Sequence, residues 1–100
     1  MNPKNIIKNN LLEKVKKFVN GKYSVEDFWK DFYIYFYMVD TKILDEYDYS
    51  FFLELCEELY HTDFVSPPSD PALKDSKELL SWIKENLPLY LDGKWRSLYN

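Results

Sequence analysis

The chain has 100 residues, 46% of them hydrophobic and 19% aromatic, and Lys+Arg 13 against Asp+Glu 17 gives a formal net charge of −4. That length fits a single core, and an apolar content normal for a globular chain argues against wholesale disorder. The lone Cys56 excludes an internal disulfide framework, zinc has no Cys/His grouping to bind, and with only two Gly a phosphate-cradling loop is excluded.

Asn2 before Pro3 predicts a helix start, with Asn as the cap and Pro tolerated in the first turn. Ile7, Leu11, Val15, Phe18 and Val19, joined by Ile6 and Leu12, then recur at helical spacing until Gly21 offers a stop. Lys8, Lys14, Lys16 and Lys17 lie mainly off that stripe, and the last two suit the C-terminal end of the helix dipole.

Ser24, with Asp27 three residues on, predicts a second cap. Val25, Phe28, Trp29, Phe32, Tyr35, Phe36 and Val39 continue at helical spacing. The run from Phe32 to Val39 is also aromatic and β-branched enough for a buried strand, but the cap and stripe that lead into it favour helix. Tyr33, Ile34 and Tyr37 fall partly off the stripe, which implies a central helix or one whose second face meets a partner.

Asp45 or Asp48 is expected to cap a third helix with Phe51, Phe52, Leu55, Cys56 and Leu59 inward and Glu54, Glu57 and Glu58 mostly outward. Cys56, beside Leu55 and acids, reads as a core residue with a raised pKa, and His61 as a last-turn residue facing the terminal carbonyls. A Pro-rich loop follows over residues 62–71. Asp75 with Glu78 caps a fourth helix carrying Leu79, Leu80, Ile83 and Leu87, with Trp82 beside them, and Pro88 is expected to end or kink it. Asp92-Gly93 then marks either a small hairpin or a tight turn into a short final helix. The expectation is an all-α, single-domain bundle of about four helices spanning residues 1–100.

The charge is divided along this chain. Residues 1–22 carry +5, residues 23–71 carry −10 and residues 72–100 carry +1, and fourteen of the nineteen aromatics lie between Tyr23 and Phe64. An acidic, aromatic surface repels nucleic-acid phosphates and attracts basic proteins, with Tyr supplying contact area and carboxylates supplying steering. The candidate partner-binding residues are Asp45, Glu46, Tyr47, Asp48, Tyr49, Glu54, Glu57, Glu58, Tyr60 and Asp63, with Asp70 in the loop. The other reading of the same residues is an ordinary solvated helix face with a few core tyrosines.

Catalysis is disfavoured. His61 would have to serve as the sole base, and acid pairs such as Asp45 with Asp48 arise by chance in a chain this acidic. No segment has the spacing or turn Gly of a calcium loop, so neither cofactor nor metal is expected. No leader pattern opens the chain, and the longest uncharged run, Phe32 to Val39, is too short to span a membrane. The expected location is the cytoplasm, with no membrane partner.

The segments SVEDFWKDFYIYF, LDEYDYSFFLELCEELYHTDFVSPP and KELLSWIKENL are an aromatic second helix, an acidic helix running into a Pro-rich loop, and a closing helix. In that order of elements and charge, the chain resembles the small helical immunity proteins of colicin D and of contact-dependent growth inhibition systems. The resemblance covers about two-thirds of the chain, and the basic first helix departs from it. It implies a four-helix protein that binds a cognate basic nuclease toxin, an RNase acting on substrates such as tRNA, and covers its active-site cleft. The alternative function is a regulatory or adaptor domain that binds a basic protein without inhibiting an enzyme, and an acid-dependent small enzyme ranks last.

Overall fold

The computed structural model describes residues 2–64 and 72–97. Among them are four helices, a short 3-10 turn and no strand. Helix α1 (Pro3–Val19) is capped by the Asn2 side chain, which accepts from the Lys4 N–H. At its other end Gly21, at φ 76°, closes a Schellman turn: its N–H donates to the Phe18 carbonyl, and that of Lys22 to the Lys17 carbonyl.

Helix α2 covers residues 25–38. Ser24 Oγ accepts from the Asp27 N–H, as the capping pattern predicts. The helix is α-helical over Val25–Phe28, widens to a π turn over Trp29–Tyr33 and returns to α over Ile34–Met38. A physical reason lies in the spacing. Phe28, Phe32 and Phe36 are all buried, and the spacing of four residues drifts by about 40° per step in a helix turning about 100° per residue. The wider turn winds less per residue and holds the row of rings against the core. The aromatic run from Phe32 is helix rather than strand.

Helix α3 (Glu46–Tyr60) follows the turn Thr41–Ile43 and buries Phe51, Phe52, Leu55, Cys56 and Leu59, as expected. Asp45 is its N-cap residue by position, but makes no side-chain capping bond; its carboxylate turns to Lys4 instead. Helix α4 (Ser76–Leu91) is capped by Asp75, which accepts from the Glu78 N–H. Leu79, Ile83 and Leu87 are buried, as is Tyr90 beyond the expected stripe.

Pro88 does not end α4. Proline removes one N–H and therefore one helical bond, while burial of Leu87 and Tyr90 on either side keeps the last turn in place. A second Schellman closure follows, with Gly93 at φ 72° donating to the Tyr90 carbonyl and Lys94 to that of Leu89. Beyond it the chain forms neither a hairpin nor a helix over residues 94–97. It lays Trp95, 5% exposed, edge-on against Phe51 at 5.3 Å.

Rings join the helices. Phe18 of α1 stacks on Phe28 of α2 at 4.5 Å, Phe32 meets Phe52 of α3 at 6.2 Å, and Phe51 stacks on Tyr90 of α4 at 4.2 Å. The Pro-rich loop is tied at its ends, where Asp63 N–H donates to the Lys74 carbonyl and Lys74 N–H to that of His61; residues 65–71 lie outside the described residues.

Two predictions follow from this packing. Phe51→Ala removes a fully buried ring shared by α3, α4 and Trp95, and is expected to cost about 3–5 kcal/mol in urea denaturation. Tyr23 Oη donates to Asp31 at 2.5 Å, and that bond, then burial and neighbouring charge, pushes its pKa from 10.0 up to about 12. The bond needs the phenol protonated. Its contribution to stability is therefore complete below pH 10 and disappears as pH rises through 12. Alkaline titration of tyrosinate absorbance, with Tyr23→Phe as the difference, should show the late ionisation, and Asp31→Asn should move it back toward 10.

Candidate functional site

The acids and tyrosines singled out on α3 do not form one surface; the helical period distributes them over three faces. Positions 48, 52, 55 and 59 share the inward row, and Asp48 is accordingly only 3% exposed. Its Oδ1 accepts the Tyr90 hydroxyl at 2.6 Å and lies 3.4 Å from Lys8 Nζ of α1. Burial, followed by this bond to Asp48, drives the Tyr90 phenol far above its ordinary pKa. The expectation that Asp48 is a surface residue is corrected: a carboxylate this buried is kept by its partners, and it belongs to the core.

A second row faces α4 and the chain after it. Glu54 is 5% exposed and accepts from Ser97 Oγ at 2.7 Å, so its expected outward placement is also corrected. The segment covering it, residues 94–97, is distant in sequence and leaves no local signal. Tyr47 is half-buried, donates to the Tyr90 carbonyl at 2.8 Å and stacks on Tyr90. Glu58 is ion-paired with Lys74, and Asp45 with Lys4 at 2.7 Å. The basic first helix thus does not simply face away from the acidic one; Lys4 and Lys8 reach across to the start of α3. Asp63 is half-buried beside the loop closure, and Asp70 lies outside the described residues.

The third row faces solvent. Glu46, Tyr49, Glu57 and Tyr60 fall at helical spacing along one side of α3, with half-buried Leu53 between them. Tyr60 is 66% exposed, and neither Glu46 nor Glu57 has a cation partner among the described residues. Tyr49 stacks on Phe36 of α2 at 5.8 Å, which sets α2 alongside this row.

Helix α2 contributes its own row here. Trp29, Tyr33 and Tyr37 follow one another at four-residue spacing with ring centroids 5.7 and 4.9 Å apart, and Phe64 meets Trp29 at 5.9 Å. Where the two rows meet, Tyr33, Tyr37, Cys56, Glu57, Tyr60 and His61 line an open groove of about 230 Å³. Tyr37 is 58% exposed. Its phenol pKa is nevertheless raised, chiefly by partial burial and then by neighbours that include Glu57. Trp29, Tyr33, Tyr37 and Phe64 are absent from the sequence-derived candidates, although the off-stripe positions of Tyr33 and Tyr37 pointed to a second face on α2.

Burial, then the charge of Glu57, pushes the Cys56 thiol well above its ordinary pKa, and a protonated thiol is a poor nucleophile. No group of three or more His, Cys, Asp or Glu suited to a metal ion occurs among the described residues. No helix among them is long and apolar enough to cross a membrane. Comparison of the chain with protein-family models, with curated proteins and with solved structures finds no match.

The division of the carboxylates is testable by stability. Asp48→Ala leaves the Tyr90 hydroxyl and Lys8 without their acceptor and is expected to cost about 2–4 kcal/mol. Glu57→Ala, at an exposed position, should stay within about 0.5 kcal/mol of the parent in the same urea titration.

Proposed function

We propose that the protein is a non-enzymatic inhibitor of the immunity type, which binds a basic nuclease toxin and neutralises it by covering its substrate cleft. The observation that carries this reading is the solvent-facing row Glu46, Tyr49, Glu57 and Tyr60 set beside Trp29, Tyr33 and Tyr37. Tyr37, Tyr49 and Tyr60 stand exposed there, with half-buried Trp29 and Tyr33 beside them, next to carboxylates without cation partners among the described residues. Tyr and Trp give contact area at low entropic cost, and carboxylates steer and pair with basic residues where RNA phosphates would otherwise sit. The resemblance to the colicin D and contact-dependent growth inhibition immunity proteins supports the same role, with an RNase, such as one cleaving tRNA, as the target. Binding then needs neither a cofactor nor direct contact with nucleic acid, and a cytoplasmic location follows from where such a toxin acts.

Asp48 and Glu54 have no part in this surface, and Asp45 and Glu58 contribute to its rim only through ion pairs that a partner would have to share. Co-expression with the neighbouring open reading frame provides the test. The reading expects a toxic neighbour whose toxicity the chain suppresses, and expects Glu46→Lys with Glu57→Lys to abolish protection while the variant remains folded. A harmless neighbour bound by this chain would favour the adaptor function, and protection that survives the charge reversal would overturn the acidic-surface mechanism.

A further inference from the structure

The groove between α2 and α3 has a composition that selects its occupant. Two walls are tyrosine rings, Tyr33 with Tyr37 on α2 and Tyr60 on α3, and the Glu57 carboxylate lies among them. His61 is the one basic side chain among its lining residues, and Glu57 has no ion pair with Lys, Arg or His among the described residues to compete with an incoming cation. At about 230 Å³ the groove falls below the range of about 300–1,000 Å³ typical of small-molecule sites, and its size suits one side chain. A planar cation is attracted to the faces of tyrosine rings, and a guanidinium can donate two parallel N–H bonds to one carboxylate while it stacks.

We infer that this groove is a receptor for a single arginine side chain of the partner, the guanidinium lying against Tyr37 and Tyr60 and donating to the Glu57 carboxylate. The inference rests on the proposed binding to a basic protein and names the residue by which that protein is held. The rings contact their neighbours: Tyr33 and Tyr37 are 4.9 Å apart, Tyr37 and Phe36 meet edge to face at 5.2 Å, and so do Tyr60 and His61 at 5.3 Å.

The probe is N-acetyl-arginine amide, followed through the ring-proton resonances of Tyr33, Tyr37 and Tyr60. Saturable shifts of these rings are expected, with no comparable effect from the uncharged isostere N-acetyl-citrulline amide. Glu57→Gln should weaken binding about tenfold, and Glu85→Gln on the exposed part of α4 should leave it unchanged. Equal shifts with citrulline, or an affinity unchanged in Glu57→Gln, would overturn the inference. So would ring shifts that grow with protein concentration alone and vanish in a monomeric Tyr37→Arg variant, because the occupant would then be a second copy of this chain. Toxin protection distinguishes the two levels. Protection without arginine binding removes this inference and leaves the inhibitor function standing; arginine binding without protection does the reverse.

Discussion

A buried carboxylate organises this molecule. Asp48 stands on α3, receives the Tyr90 hydroxyl from α4 at 2.6 Å and lies 3.4 Å from the ammonium of Lys8 on α1, so three helices meet at one charge. Taking a carboxylate out of water is costly unless it is both paired and hydrogen-bonded, and here it is both. The groups around it extend the constraint. Phe51, one turn along α3, stacks on Tyr90 at 4.2 Å, and the Tyr47 hydroxyl bonds the Tyr90 carbonyl while accepting from the Trp95 N–H. Helix α4 cannot slide or rotate against α3 without breaking the bond to Asp48 and the ring stack together. The stretch of chain richest in acids and tyrosines is therefore used first to build the bundle. Only what remains is available to a partner.

Helix identity was legible from the sequence because caps and periodicity are local. Asn2, Ser24 and Asp75 each accept the backbone bond their positions imply, and the apolar rows of α1, α3 and α4 are buried nearly as spaced. The roles of the carboxylates were less legible, for two different physical reasons. Asp48 sits in the same helical row as Phe52, Leu55 and Leu59, so its burial was implicit in the period; a reading by residue type set it on the surface. Glu54 had no such clue. What buries it is a segment more than forty residues away, bonded through Ser97, and no local pattern encodes that contact. The turn at Pro88 shows the same limit, since burial of Leu87 and Tyr90 outweighs a local helix-breaking signal.

The π turn in α2 links the core to the exposed surface. By straightening the row Phe28, Phe32 and Phe36 it must also straighten the row one residue on, Trp29, Tyr33 and Tyr37, because both belong to the same backbone. In a regular α-helix the same spacing would carry Tyr37 about 80° round the axis from Trp29. The wider turn serves packing on one side and presentation on the other. Trp29 and Tyr33 are half-buried against the core, and Tyr37 stands exposed at the end of the row.

On the proposed reading, building and recognition use different angular sectors of one helix. Asp48, Phe51 and Glu54 on α3 are committed to the bundle, whereas Glu46, Glu57 and Tyr60 stand exposed on the other side and Tyr49 reaches the core only where it stacks on Phe36. A substitution in the outer row changes charge and shape at the groove and meets little resistance from packing, which is the regime where surface changes stay within about 0.5 kcal/mol. A substitution in the inner row alters Asp48 or its partners and unsettles all three helices they join. For a protein proposed to match one partner, this arrangement would let specificity be retuned at Glu57 or Tyr60 while residues of the inner sector hold the fold. The basic first helix contributes to the inner sector, where Lys4 and Lys8 are turned toward Asp45 and Asp48 at the start of α3.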